Sequence, residues 1–535
     1  MLYANIGLEN WFLPVYFFLS HIIKQHNQTN YAMRYLQLAC FLFCGLQSLA
    51  QEATFSDYVK VDDRDDLFII GGDENGVFAS ISDDYYHKGF SNKQIISYYN
   101  YQKGQWENKA LKSEKRSREY FYSFYFQHQL HLLQYDDQPT DENKYPIYLE
   151  SYDRSLAKVG EEQSIGQLSP HIFSFDAGKL LHSYFSSQYG KMHRSSFYRH
   201  KTSADQKKLV LLFNYYFLKD ALSEFQFIML DENKQGEQSG IIDLPDTEGH
   251  YQILEDYAVD NDGLIHLLVS SFDDKSFKKS AGHFKYSLYI YDPEKELLKT
   301  VEFPTEDQFI INLGLKLNED QQPVLAGLYA DAVTNDILGG MQIKSGTCTI
   351  FTFAETEVAE INTDQDKEHA EEYAIKNVVV EEDGSAVFFA ESYKRGPMVK
   401  PKLSLAGFSP IDANVELGDI YRKILAIKVS PAKNHWIKII DKTQRSSEPR
   451  DVFTSFAFTR NEQGYHLLFN NTIRNTSDVS SVSLTPDGDI SLKTLFGRSE
   501  YRLRAIPAFA VSPDPGTLVL PVQKNSKQAI ATVTF

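Results

Sequence analysis

"YAVDNDGLIHLLVSSF" (Tyr257–Phe272), followed closely by "KYSLYIYDPEKELLKTVEFP" (Lys285–Pro304), decides the reading of the whole chain. Asp262-Gly263 is a tight hairpin turn, because glycine accepts the positive φ that such turns need. Tyr257–Val259 leads in as one strand, and Leu264–Val269 leaves as an unbroken apolar run. Tyr286–Tyr291 supplies a third strand, Asp292-Pro293 the next turn and Leu297–Phe303 a fourth strand. A strand that is apolar at every position suits a sheet covered on both faces. Four antiparallel strands built this way make one blade of a β-propeller.

The same grammar recurs along the chain. First-hairpin turns fall at Asn75-Gly76, near Gln129, near Gln206, at Asp262-Gly263, near Gln321, at Asp383-Gly384, at Gln463-Gly464 and near Pro515-Gly516. Their spacing averages roughly 63 residues, a period suited to four-stranded blades. The expected fold is therefore all-β: a β-propeller of eight four-stranded blades. Seven is the alternative, because 168–200, with "HIFSFDAGKLLHSYFSS", is irregular. The last unit is one strand short, and "ATFSDYVKV" (Ala53–Val61) is a lone strand ahead of the first. Pairing Ala53–Val61 with the unit near 501–535 closes the ring and removes its open edges. Two insertions interrupt the pattern. Glu355–Tyr373 is acidic and lacks turn residues, which predicts a short helix or mobile loop. Lys394–Gly418 reads as a long connection between two strands of one blade.

The 535 residues are 42% hydrophobic and 24% charged, ordinary for a globular chain, and the 14% aromatic content suits strands. The net charge of −18 argues against general nucleic-acid binding, since an acidic surface repels phosphates. The one short basic run, "EKRSR" (Glu114–Arg118), reads as a solvated loop.

The N-terminal region contains a second apparent beginning. From Met33, Arg34 supplies a positive start and Leu36–Leu46 an apolar stretch too short to span a bilayer. Ser48-Leu49-Ala50 then places small residues at −3 and −1, so cleavage is expected between Ala50 and Gln51. A lipoprotein signal fits less well, because Cys40 comes too early and Cys44 follows Phe43. Residues 1–32 then read as an upstream extension outside the true start, 33–50 as the signal peptide and 51–535 as one propeller domain. The mature chain would carry 52 basic and 71 acidic residues, a net charge of −19. Of three cysteines only Cys348 would remain, so the mature monomer could form no internal disulfide.

Other chemistries are poorly represented. There is no H-E-x-x-H and no paired cysteine motif for metal, and no phosphate-binding loop or dinucleotide fingerprint, so no cofactor is expected. Asp260–Gly263 has the look of a calcium loop but lacks its spaced carboxylates and distal glutamate. His128 and His131 lie in a strand-turn-strand segment where nothing fixes them on one face, and are expected to be surface or turn histidines. No G-x-S-x-G elbow is present. "SPDPGTLVL" and "TPDGDISL" echo sialidase boxes without their tryptophan. A membrane barrel is disfavoured although the chain ends in Phe535. Strands such as "LVLLFNYYFL" are apolar on both faces, whereas barrel strands show one apolar face.

The blade grammar of "KTSADQKKLVLLFNYY", "DYAVDNDGLIHLLV", "LNEDQQPVLAGLY", "VVVEEDGSAVFFAE" and "DIYRKILAIKVSPAKNHWIKII" resembles an uncharacterised group of exported propeller-like proteins of the Bacteroidota. The signal ending "LAQ" resembles signals of secreted proteins in that phylum. The resemblance spans most of 55–535 and implies a propeller and an exported location, with no activity attached.

The functional expectation is an exported binding or scaffold propeller at the cell envelope, with a glycan, peptide or partner protein as ligand. The alternative is a carbohydrate-active hydrolase using two carboxylates in the central channel. Carboxyl groups with raised pKa at the channel mouth would favour the hydrolase. An exposed aromatic platform or broad apolar patch would favour binding.

Overall fold

Every second strand of the expected blades is buried over most of its described length. Ile265–Phe272 and Gly464–Asn470 have no exposed residue, whereas fourth strands such as Leu297–Val301 and Ile490–Phe496 are largely open. This gradient orders each sheet from an inner first strand to an outer fourth strand. The computed structural model describes residues 52–535 apart from 61–64, 84–92, 114, 116, 141, 170–197, 218–221, 234–235, 246–250, 274–282, 306, 363–371, 400–414, 448–452, 474–477 and 497–502. The expected cleavage site at Ala50-Gln51, the extension 1–32 and most of the irregular 168–200 lie outside the described residues.

The described strands form eight antiparallel sheets in a ring. Blade 1 is Asp65–Asp73, Gly76–Asp83, Lys93–Asn100 and Gln105–Lys112. Blade 2 is Arg118–Phe126, Gln129–Asp136, Tyr145–Tyr152 and Gln163–Leu168. Blade 3 is Tyr198–Thr202, Leu209–Phe217, Leu222–Leu230 and Gly236–Ile242. Blade 4 is Tyr251–Val259, Ile265–Phe272, Phe284–Asp292 and Leu297–Val301. Blade 5 is Phe309–Leu317, Pro323–Ala330, Ile337–Lys344 and Thr347–Thr352. Blade 6 is Glu372–Val380, Ala386–Val399, Val415–Val429 and Trp436–Ser447. Blade 7 is Ala457–Asn461, Gly464–Asn470, Val479–Leu484 and Ile490–Phe496. Blade 8 is Arg504–Ala505, Thr517–Lys524 and Lys527–Thr534, completed by Glu52–Phe55 from the other end of the chain. Val59–Lys60 also pairs with Gln528 and Lys527. The blade count of eight and the closure expected from the sequence are both present.

The unbroken apolar run of each second strand has a direct cause. Successive side chains point to opposite faces. Leu267 therefore enters the seam between blades 3 and 4, and Leu268 the seam between blades 4 and 5. Phe388 and Phe389 divide likewise between the 5–6 and 6–7 seams, and Leu467 and Leu468 between 6–7 and 7–8. Phe78 and Leu132 meet in the 1–2 seam, and Leu133 and Leu211 in the 2–3 seam. The circle ends at the 8–1 seam, where Val519 and Ile530 pack with Leu67 and Val77. Burying one such side chain stabilises by about 1.5–3 kcal/mol, so hydrophobic burial at the seams is the main force holding the ring.

Buried amides stitch the linkers between blades. Gln528 accepts the Leu67 N–H at 2.7 Å, and Gln226 accepts the Ser169 N–H at 2.9 Å. Asn470 donates to the carbonyls of Phe453 and Ala505 and accepts the Ala505 N–H.

Three expectations need correction or refinement. Lys394–Gly418 is not a single long connection. Pairing continues through Arg395↔Asp419, Pro397↔Leu417 and Val399↔Val415, so two blade 6 strands run 14 and 15 residues and only 400–414 joins them. The acidic insertion begins as a helix, α1 (Glu355–Asn362), started by Glu357 accepting the Ala354 N–H. The basic run "EKRSR" is not wholly a solvated loop. Arg118 is buried, bonded to Glu162, and stacks on Tyr148. Among the described residues no helix is long and apolar enough to cross a membrane.

Candidate functional site

The first hairpins all lie on one face of the ring, because each joins an inner strand to its neighbour. Their tips clasp one another: Gln127 Nε2 donates to the Gln206 carbonyl, and the Asp205 N–H to Asn261 Oδ1. The polar residues of the inner strands just behind these turns line the mouth of the central channel.

Lys201 and Lys316 occupy the same blade position, two residues before the residue that opens the turn (Ser203 in blade 3, Asn318 in blade 5). Blade 4 has the small Ala258 there, and its carboxylate sits two residues further back at Asp256. Glu255 is an extra, bulged residue between Leu254 and Asp256, which re-aims the strand at this point. Asp256 pairs with Lys201 of blade 3 and accepts the Leu315 N–H of blade 5 at 3.4 Å. In blade 7, Arg460 lies 3.6 Å from Glu381, which opens the blade 6 turn and accepts the Tyr465 hydroxyl at 2.8 Å.

Lys201, Lys316 and Arg460 thus come from blades 3, 5 and 7, which are not neighbours. The charges of Lys201 and Arg460 both act on Lys316. Lys316 is solvent-exposed and has no hydrogen-bond or ion-pair partner among the described residues. Its ammonium pKa is lowered, first by the protein crowding it and then by the charges of Lys201 and Arg460, with Asp256 opposing. Asp256 partners Lys201 and Glu381 partners Arg460, so Lys316 is the uncompensated charge of the group.

Two other polar clusters are structural pins. Asp73, at the end of the blade 1 inner strand, accepts from Tyr125 at 2.8 Å, from the Asn75 N–H at 2.9 Å and from Arg154, and lies 3.3 Å from His128. Burial alone would raise its pKa, but these donors hold it at about 2. Oδ2 takes the contacts of Tyr125, Arg154 and His128 and Oδ1 the Asn75 N–H, so the carboxylate serves to tie blade 1 to blade 2. At the seam of blades 6 and 7, buried Glu391 is held by Lys442, by the Ser455 hydroxyl at 2.7 Å and by Lys376 at 3.5 Å. Burial would raise the Glu391 pKa; Lys442 and Lys376 more than reverse it.

The histidines separate sharply. His128 sits exposed in a turn at φ 57°, as expected. His131 is not a surface or turn residue: it is fully buried, its Nε2 bonded to the Phe126 carbonyl and its Nδ1 to Ser151. His466 repeats the design with Asn461 and Ser483. His266 keeps the turn contact, to Asp260, but faces Ile290 instead of a serine, and its Nδ1 has no partner. All three begin an His-Leu-Leu run on a second strand, a sequence signal that marks a blade position. Asp260 itself accepts the Asp262 and Leu264 N–H groups, which confirms it as a turn residue.

Neither feature chosen to separate enzyme from binder is found among the described residues. Every described carboxyl with a shifted pKa is shifted down. Tyr58 is the one described aromatic among the exposed large apolar side chains, which are scattered singly except for Ile490 and Leu492 on one outer strand. Among the described residues no group of histidine, cysteine and acidic side chains is placed to hold a metal ion. The channel cations were missed because they converge from separate blades. The available signal was a lysine at one blade position, two residues before the turn-opening residue, in "YRHKTSADQ" and "LGLKLNEDQ".

No protein-family model matches the chain, and no curated relative is found. Among solved structures, the chain is similar to the polysaccharide lyase PL25-ulvan lyase at 9% identity and a TM-score of 0.35, over 84% of this chain and 96% of that one. It is similar to the β-propeller domain of the Trilobed protease from Pyrococcus furiosus at 9% identity and a TM-score of 0.33, over 87% and 100%. The endo-arabinase from Bacteroides thetaiotaomicron gives 10% identity and a TM-score of 0.23, over 56% and 99%. Likeness this distant transfers no residue role, and the chain stands as an all-β, eight-bladed propeller whose inner strands gather three cations and two carboxylates at one channel mouth.

Proposed function

We propose that this chain is an exported binding propeller whose channel mouth seats a compact anionic group of its ligand: a carboxylate, sulfate ester or phosphate. Lys316 carries the reading. It is an exposed ammonium without a partner among the described residues, and the charges acting on it come from Lys201 and Arg460, themselves matched by Asp256 and Glu381. Like charges held together disfavour the charged form, and a bound anion relieves the repulsion. The hydrolase alternative needs a carboxyl acid with a raised pKa, and the shifted carboxyls described here move the other way.

The test is an array of acidic and neutral glycans and peptides, probed with the protein and with Lys316→Glu. Acid-bearing members should bind, inorganic sulfate should compete, and the variant should lose at least about tenfold in affinity, since it removes a charge-assisted contact and adds repulsion. Binding confined to neutral members, or equal binding by the variant, would reject the site. Export is tested separately by the N-terminal mass of the protein outside the cell, expected to begin at Gln51.

A further inference from the structure

We propose that the crevice between blades 3 and 4 receives one basic side chain, an arginine or lysine, of a peptide or protein partner. It lies apart from Lys316 and does not depend on the anion-binding reading.

The crevice has a volume of about 290 Å³. It opens on the face that carries the first hairpins, because hairpins joining first to second and third to fourth strands share one end of an antiparallel blade. Its floor is apolar: Met229 and Pro293 are buried there, and Leu264 is half-buried. Gly263 lets its turn sit directly on this floor. A methyl at that position would stand 3.1 Å from Lys208 Cδ and 3.3 Å from Met229 Sδ. Gln238, opposite Met229 in strand register, lines one side.

The rim is acidic and preorganised. Asp262 and Glu294 are exposed, and their carboxylates make no hydrogen bond or ion pair among the described residues. Each rides on a turn pinned by the aspartate that opens it. Asp260 Oδ1 accepts the Asp262 and Leu264 N–H groups at 3.0 and 2.8 Å, and Asp292 Oδ1 accepts the Glu294 and Lys295 N–H groups at 3.1 and 3.2 Å. The other Asp292 oxygen holds Lys295. Three carboxylates therefore line the crevice against two ammonium groups, those of Lys208 and Lys295. An apolar floor beneath unpaired carboxylates suits a side chain with a methylene stem and a charged head. The stem covers Met229 and Pro293, and the head meets Asp262 and Glu294. Ligand pockets usually start near about 300 Å³, so this space fits a single side chain. The chain's net charge of −18 favours the approach of a cation.

The probe is the peptide acetyl-Gly-Arg-Gly-amide, titrated into the full chain and followed by ligand-detected NMR, with the citrulline peptide as its neutral counterpart. The arginine peptide should bind at least about tenfold more tightly than the citrulline peptide. Asp262→Asn and Glu294→Gln, both at exposed turn positions, should each weaken it at least about threefold, and together at least about tenfold. Gln238→Trp changes no charge but fills the crevice, and should abolish binding while thermal unfolding shows the fold intact. Equal binding of the two peptides overturns the proposal, as does the absence of binding at millimolar peptide. Arginine binding that survives both carboxylate changes and the filled crevice belongs to the acidic surface at large and overturns it too. Failure here leaves the channel mouth untouched, because its own test reads acidic ligands at Lys316.

Discussion

Ser56 and Ile530, 474 positions apart, hold each other through two hydrogen bonds of 2.9 Å: the Ser56 N–H donates to the Ile530 carbonyl, and the Ile530 N–H to Ser56 Oγ. This pairing fastens the N-terminal strand onto blade 8. Ser56→Ala leaves the Ile530 N–H unsatisfied where it is buried, and should cost about 1–3 kcal/mol. Deleting residues 52–60 should lower the melting temperature far more, since it uncovers the whole edge of Lys527–Thr534. Denaturant and thermal unfolding check both. An unchanged midpoint for the deletion would mean that this strand does not hold the ring.

Gln206 and Gln321 adopt φ values of 59° and 61° at the turn position where Gly263 and Gly384 adopt 89° and 80°. A side chain in this left-handed region is strained, by about 1–2 kcal/mol, whereas glycine is not. Gln206→Gly and Gln321→Gly should therefore stabilise, by about 0.5–1 kcal/mol each once glycine's greater freedom in the unfolded chain is offset. Gly263→Ala should destabilise, because its new methyl also meets Lys208 at 3.1 Å. Chemical denaturation gives the sign.

The buried Glu391–Lys442 pair should behave as a unit. Glu391→Leu or Lys442→Met alone strands a charge and should cost about 3–5 kcal/mol. The double variant Glu391→Leu, Lys442→Met should recover most of that loss, and a double-mutant cycle measures the coupling. Additive losses would show that the two side chains act independently.

Stability should fall with acid in two stages. Burial holds the pKa of His466 and His200 at about 4, while an unfolded histidine titrates near about 6.5. Between those values the unfolded chain binds more protons, so the stabilisation present above about pH 6.5 is lost as pH falls toward 4, on the order of 3 kcal/mol for buried His466. Asp73, held at about 2, adds stability above its unfolded pKa, near about 4, that is lost as pH falls through about 2. His466→Gln should flatten the first stage whatever its effect at neutral pH, which urea titrations at stepped pH resolve.

Much of this fold was legible because turns and double-faced strands are local signals. Asp262-Gly263 and Asp383-Gly384 announce hairpins directly, and the glutamine turns at 206 and 321 keep the same register of flanking residues. Blade 6 was misread where Gly396-Pro397 and Gly418 look like breakers, yet they pair across the two longest strands. His131 was misplaced because its burial depends on Ser151 from another strand, which no local pattern reports. The channel site was least legible of all. Lys201, Asp256, Lys316 and Arg460 are each unremarkable in their own segments, and only ring closure makes them neighbours.

A fastening strand drawn from the far end of the chain can also be supplied from outside. A synthetic peptide spanning Glu52–Lys60 offers blade 8 the same edge hydrogen bonds and the same Ala53 and Phe55 side chains that pack beside Val533. It should rescue a protein lacking that segment, in proportion to peptide concentration. By the same logic, two copies refolded together at high concentration should trade these strands and form an exchanged dimer, whose dissociation would require each ring to open.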